Sequence, residues 1–242
     1  MSMNTRAVKT RIFREGDDLV SFITKYVPRL KEGSILAVTS KVVALAEGRT
    51  ASIRNEKEKA ALIKKESSWM LRTHKRWWWT KKDGALLVNA GIDESNADGK
   101  VVLLPADSFK AAAELRSALK RKYGVKKLGV VITDSRISPM RNGVTGLALG
   151  YAGFRGVRDY RGKKDLFGRT LSVTVTDVAD SIATAAAFVM GEGSERQPLA
   201  VIEDAPVEFV ERVDRNEARI SPKEDMYAPL FRLKRHRGKR AI

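Results

Sequence analysis

Cysteine is missing from this 242-residue chain, and histidine occurs only twice, as His74 and His236. The first absence excludes disulfides, thiolate metal sites and a cysteine nucleophile. The second leaves little material for a serine–histidine triad or a histidine-ligated zinc. No apolar run approaches the roughly 18 residues of a membrane helix; the longest, IATAAAFVM, is about half that. The N-terminal MSMNTRAVKTRIF has no apolar h-region, so no secretory signal is expected and a cytoplasmic setting is. Nucleophile-elbow and nucleotide fingerprints are missing as well. There is no G-x-S-x-G and no G-x-G-x-x-G after a strand, and the closest glycine–lysine pair, Gly162-Lys163, is followed by Lys164, not by the Ser or Thr of a P-loop.

Acidic charge is also scarce: 29 Asp and Glu stand against 46 Lys and Arg, a formal net charge of +17. Such a field favours anionic partners such as nucleotides, phosphorylated cofactors or nucleic acid. Six of the cations sit in the last eleven residues, RLKRHRGKRAI, and removing them leaves +11. Like charges at a terminus do not pack, so these residues read as a frayed basic tail. With 43% hydrophobic and 31% charged residues, the composition is that of a globular protein able to bury a core.

Strand and helix signals alternate with no composition break. AVKTRIF reads as a strand and EGDDLVSFITKYVPRL as a helix with an acidic first turn. SILAVTS is a buried strand leading straight into a short helix, SKVVALA, that stops by Gly48. EKEKAALIKKESSWMLRT reads as one long amphipathic helix, and RWWWT, GALLVNA and KVVLLP as successive strands. DSFKAAAELRSALKRKYG has an N-cap and a closing Gly124. KLGVVITDS, VTGLALGYAGF, RTLSVTVTDV and PLAVIED are further strands, with the helix VADSIATAAAFVM before the last. Adjacent strands mixed with helices predict an α+β fold with mixed or antiparallel sheets. Trp77-Trp78-Trp79, among His74, Lys75, Arg76, Lys81 and Lys82, reads as core or interface packing, with base stacking the alternative.

Candidate chemistry lies in carboxylates at strand ends. Asp93 follows LLVNA, and Asp134 ends GVVIT with Ser135 beside it. Hard oxygen ligands in such places suit Mg²⁺ or Mn²⁺, although an Asx turn needs no metal. Two glycine-rich stretches, NGVTGLALGYAGFRG and MGEGSERQP, could present backbone N–H groups to phosphate.

These residues carry a resemblance. AVTSKVVALAEGRT, VNAGIDESNADG, LLPADSFKAAAELRSAL, GVVITDS, the long run from RNGVTG through DYRGKKDLFGR to VTDVAD, and VMGEGSERQPLAVI are together similar to the coenzyme F420-0:γ-glutamyl ligase family, collinearly over roughly residues 6–203. TDSRISPMRNGVTG resembles a bacterial branch named for a folate-metabolism γ-glutamate ligase. The resemblance implies a catalytic domain over 1–203, with 204–242 as a C-terminal extension ending in the basic tail, in an intertwined homodimer. It implies joining L-glutamate to a carboxylate of F420-0 or a folate-type acceptor through an acyl phosphate, with GTP (or ATP) and Mg²⁺ or Mn²⁺. By position, Asp93, Asp134 and Ser135 match metal ligands, with Glu192 a further candidate. Thr10, Arg11, Ile12, Phe13, Ser40, Lys41, Asn96 and the loop Gly191, Glu192, Gly193, Ser194, Glu195, Arg196, Gln197, Pro198 match the nucleotide site. Leu45 stands where the family commonly has a lysine, and residues 52–83 match no family motif. The alternatives are a basic nucleic-acid-binding protein and a fold relative acting on another substrate.

Overall fold

A computed structural model describes residues 2–73, 77–95, 97, 99–221 and 223–231. His74, Lys75, Arg76, Asn96 and the basic tail with His236 lie outside them.

The backbone of the fold is a five-stranded sheet. It contains β1 (Asn4–Val8), β2 (Ser34–Thr39), β8 (Leu128–Ile137), β9 (Val144–Ala152) and β12 (Leu199–Glu203), in the order β1-β12-β2-β8-β9. Only β2 and β8 run parallel among these pairs; the others are antiparallel. Their apolar runs are continuous rather than alternating because both faces are covered. Leu36, Val38, Val130 and Ile132 face one cluster, built with α1 (Leu19–Tyr26), α2 (Ser40–Ala46) and α4 (Ser108–Tyr123). Ile35, Ala37, Val131 and Ala200 face the other, where α5 (Val178–Met190) packs through Ala179, Ile182, Ala183 and Ala186. The α+β class with mixed sheets is therefore the observed one.

Each helix is bounded by local chemistry. Asp107 caps α4 by accepting from the Lys110 N–H (3.0 Å), and Gly124 closes it at φ 68° after a basic last turn. The acidic first turn expected for α1 is not there: Asp18 is its N-cap, accepting from the Ser21 N–H (2.7 Å), and Asp17 lies before it. AVKTRIF leaves the sheet after Val8, since Phe13 turns inward against Phe22 (centroids 4.9 Å apart).

Residues 52–83 contribute to a small second layer. α3 (Glu56–Glu66) ends earlier than the amphipathic pattern predicts. Ser67 turns extended, its hydroxyl donating back to the Ile63 carbonyl, and Trp69–Arg72 becomes β4. Trp69 suits a pleated strand, and Met70 is carried into it by pairing opposite Thr80. β4 pairs with β5 (Trp78–Lys82), and β5 with β6 (Ala85–Val88). KVVLLP does not join them: only Val101–Val102 is strand (β7), and it pairs with β3 (Thr50–Ala51). Trp78 packs against the Ile63 cluster under this sheet. RTLSVTVTDV shrinks to β11 (Val175–Asp177), paired with β10 (Val157–Asp159).

The segment after Glu203 is stitched back onto the body. Glu211 accepts from Arg116 and Lys120, Arg215 pairs with Asp107 (3.2 Å), and Glu217 accepts from the Tyr151 hydroxyl (2.9 Å) and the Gly156 N–H (2.6 Å). Among the described residues no helix is long and apolar enough to cross a membrane.

α4 packs tightly on β9. A Cβ built at Gly150 would lie 2.3 Å from the Ser108 carbonyl carbon and 2.5 Å from the Phe109 nitrogen, both backbone atoms. Gly150→Ala is therefore expected to cost about 1–3 kcal/mol of stability, read from urea unfolding. An unchanged midpoint would mean that α4 does not press on the strand there.

Candidate functional site

Topology gathers the candidate segments at one end of the sheet. β2 and β8 are parallel, with Thr39 opposite Thr133, so the residues that follow, Ser40 and Asp134, emerge side by side. The Ser40 hydroxyl donates to Asp134 Oδ1 (3.3 Å). β12 runs antiparallel to β2 and begins at Leu199 opposite Val38, which brings the preceding GEGSERQP loop to the same end. β1 finishes at Val8 opposite Leu199, and Thr10 follows there too. Two backbone bonds tie these pieces: the Thr39 N–H donates to the Pro198 carbonyl (3.0 Å) and the Thr10 N–H to the Arg196 carbonyl (2.9 Å). The carboxyl ends of parallel strands are where open sheets bind ligands.

A bulge adds a second determinant. The β8–β9 register shifts between Ile132 and Thr133, where Ile132 faces Gly150 and Thr133 faces Ala148, leaving Leu149 unpaired just before Asp134. Such bulges re-aim the side chains beyond them.

The Asp93 loop reaches this end from the second layer. Asp93 Oδ2 pairs with Lys41 Nζ (2.7 Å), which also donates to the Ser95 carbonyl (2.8 Å) and hydroxyl (3.2 Å), while the Ser95 N–H donates to Asp93 Oδ1 (2.7 Å). The loop is no β6–β7 hairpin: after the 3₁₀ turn Asn89–Gly91, Asp93 bridges Val102 through two backbone bonds of 3.0 and 2.9 Å. On the far side of Asp134, the Ser135 hydroxyl donates to both oxygens of Glu192 (2.8 and 2.9 Å). Asp93, Asp134, Ser135, Ser40, Lys41 and Glu192 are thus linked in one chain of contacts.

The two aspartates differ electrostatically. Burial raises the Asp134 carboxyl to about 7, against weaker lowering by the Ser135 N–H and the Ser40 hydroxyl; the charges of Asp93 and Glu192 raise it further. Burial raises Asp93 too, but the Lys41 ammonium and the Ser95 donors outweigh it, and the net shift is downward. Negative charge therefore converges on Asp134, which among the described residues has no paired cation. Among the described residues no three His, Cys, Asp or Glu close into a cage. An open set of hard oxygens short of positive charge fits Mg²⁺ or Mn²⁺, which keep several waters or phosphate oxygens in their shells.

The remaining candidates divide. Arg11 is engaged with Asp17 (2.5 Å) and lies over the Phe22 ring, Ile12 is exposed, and the Phe13 ring belongs to the core. In the loop, the Gly193 N–H donates to Glu195 Oε2 (2.8 Å), and Gly191 sits at φ 79° with the Glu195 carboxyl where a Cβ would stand. Ser194 and Arg196 are exposed and Gln197 half-buried. Asn96 lies outside the described residues. Leu45 packs partly buried against the α1–α2–α4 cluster, which explains why an apolar residue suits that place.

Sequence reasoning missed Arg136, Trp79, Leu86 and Val88. They line a small cleft of about 80 Å³ against Asp134 and Ser135. Alternation along TDSRI, which puts Arg136 on the face of Asp134, was the available signal. Arg136 is held by Asp180 (2.8 Å).

Comparison with known proteins agrees in extent. The profile of the family described as F420-0:Gamma-glutamyl ligase matches residues 7–204. The chain is 38% identical over 208 residues to the Coenzyme F420:L-glutamate ligase of Archaeoglobus fulgidus, covering 79% of this chain and 83% of that one. It is 36% identical to proteins of the same name from Methanopyrus kandleri (209 residues, 79% and 82%) and Halorubrum lacusprofundi (214 residues, 79% and 82%).

In the metal-free protein the raised Asp134 carboxyl has a stability consequence. The native state holds a proton there that the unfolded chain loses near 3.8, so the stabilisation is full below that pH and lost as pH rises through about 7. Asp134→Asn is expected to gain stability relative to wild type over that window, by up to about 4 kcal/mol. Chemical unfolding of chelator-treated protein at pH 5 and pH 8 measures it; a pH-independent difference would contradict the assignment.

Proposed function

The chain belongs to the F420-0:γ-glutamyl ligase family, and on that premise we propose that it is an enzyme joining L-glutamate to a carboxylate of F420-0 or a folate-type acceptor. What supports the reading most is the meeting, at one end of the central sheet, of Asp134 and Ser135, Ser40 and Lys41, Glu192 and Asp93. Phosphoryl transfer asks for positioned charge more than for a side-chain nucleophile. That suits a site with no cysteine and, among its described residues, no histidine.

In the proposed reaction the γ-phosphoryl group of GTP (or ATP) passes to an acceptor carboxylate oxygen, and its bond to the nucleoside diphosphate breaks. The glutamate amine then adds to the acyl carbon, phosphate leaves, the amine proton is lost and an amide remains. Asp93, Asp134 and Ser135 would hold Mg²⁺ or Mn²⁺, with Glu192 at the margin; the cation supplies neutralising charge for phosphate oxygens. Ser40 and Lys41 add a hydroxyl and an ammonium at the start of α2. Thr10–Phe13 and the Gly191–Pro198 loop form the proposed nucleotide surround, with backbone N–H groups of the glycine-rich loop suited to phosphate; Asn96, a further candidate, lies outside the described residues. Trp79, Leu86 and Val88 offer an apolar wall beside Asp134.

We also propose the homodimer. The segment between β10 and β11 carries Leu166 and Phe167 at 98% and 96% exposure, and α5 presents Phe188 at 88%. Apolar side chains displayed to that degree suit burial against a second copy.

The test is mass spectrometry of reactions holding protein, L-glutamate, Mg²⁺ and Mn²⁺ with GTP or ATP, and either F420-0 or a folate monoglutamate. A gain of one or more glutamyl units on one acceptor is expected. Asp93→Asn and Asp134→Asn should each lower the rate by about 100-fold or more while circular dichroism stays unchanged. No product on either acceptor would remove the ligase reading for both.

A further inference from the structure

The small second layer does more than cover the core: it holds the loop that carries Asp93. Residues 89–91 are three consecutive left-handed residues, with Asn89 at φ 51°, Ala90 at 56° and Gly91 at 70°. Glycine tolerates that region, and asparagine visits it, but alanine does so only under constraint. A Cβ at Gly91 would fall 2.6 Å from Leu104, so the turn is also pressed from outside. Such a conformation persists only where its surroundings over-determine it.

The constraint comes from β5. Thr80, fully buried, donates its hydroxyl proton to the Leu87 carbonyl (2.8 Å) and accepts the Ala90 N–H on the same oxygen (2.8 Å). Two residues earlier, the Trp78 N–H donates to Asn89 Oδ1 (3.0 Å), and Asn89 is itself buried. The Ile92 N–H closes the turn on the Asn89 carbonyl (3.0 Å). On the α3 side, buried Lys59 pairs with Glu94, the residue after Asp93. Downstream, Asp93 is fixed by its two-way bridge with Val102. The chain is thus held by backbone bonds before and at Asp93 and by the Glu94 side chain just after it, with two of these holds coming from β5 and α3.

We propose that Thr80 is a positioning residue for the cation site. Its hydroxyl sets the left-handed turn, and the turn aims Asp93 at Asp134. The proposal rests on reading Asp93 as a metal ligand, and it assigns to residues 56–82 a part in that site which none of the motifs carrying the resemblance includes. Valine matches threonine in shape but leaves the buried Ala90 N–H without its acceptor, whereas serine keeps the oxygen.

The experiment is a Mn²⁺ titration of the full chain, followed by electron paramagnetic resonance of the free ion, for wild type, Thr80→Val, Thr80→Ser and Asp93→Asn, with thermal unfolding of each. Outer-sphere support of a metal ligand is typically worth about 10–100-fold in affinity. Thr80→Val is expected to bind Mn²⁺ weaker by that factor, and Thr80→Ser to stay within a few-fold of wild type. Should Thr80→Val not fold, Thr80→Ala takes its place: it removes the same acceptor of the Ala90 N–H without a second methyl in its place, and carries the same expected loss. Wild-type affinity in the folded Thr80→Val protein, alongside loss in Asp93→Asn, overturns the proposal. Equal loss in Thr80→Ser and Thr80→Val also overturns it, since the hydroxyl is then not the cause. Unchanged Mn²⁺ binding in Asp93→Asn would remove the metal reading itself, and the positioning role with it.

Discussion

The parallel pairing of Ser34–Thr39 with Leu128–Thr133 stops at one end of the sheet, and the arrangement of the candidate site depends on that shared ending. A parallel pair presents both of its carboxyl ends on the same side, so Ser40 and Asp134 come within a hydrogen bond of each other although 94 residues apart in sequence. The antiparallel neighbours then bring the start of β12 and the finish of β1 to that same side. A slip of one residue would exchange Leu36, Val38, Val130 and Ile132 with Ile35, Ala37 and Val131 between the two apolar layers, so the fit of side-chain shapes against the helices on each face holds the register.

Charge supplies the second constraint. Asp134 is held against protein with Asp93 and Glu192 nearby, and its neighbours' hydrogen bonds do not offset its withdrawal from water. Asp93 is already served by Lys41, and the Ser135 hydroxyl serves Glu192. Leaving a carboxylate uncompensated in such a place costs stability that a hydrophobic residue would not. In the proposed reading a Mg²⁺ or Mn²⁺ held by these residues would offset that cost.

Much of this was legible in the sequence, for identifiable reasons. The long apolar strands and the capped helix Ser108–Tyr123 announce themselves because their burial and their capping chemistry are local. The strand-end aspartates, with the turn-forming residues around Asp93, stood out for the same reason. What was not legible depended on tertiary contact. The end of α3 at Glu66 follows from a strand partner, Lys81, that no helical pattern reveals. KVVLLP pairs with Thr50–Ala51 instead of its sequence neighbour because the three left-handed residues turn the chain away. Thr80 was invisible as a site residue, since a threonine in an aromatic strand is ordinary until its oxygen is seen under Ala90. The family resemblance supplied roles for residues; the pairing of strands supplies the reason those residues meet.

The claim at the centre of this account is that Asp93 and Asp134 share a cation site. Anomalous scattering from crystals grown with Mn²⁺ and GTP tests it most directly. The account predicts manganese density within coordinating distance of both carboxylates, with Lys41 drawn off Asp93. Manganese elsewhere, or none with the Lys41–Asp93 pair intact, would contradict it.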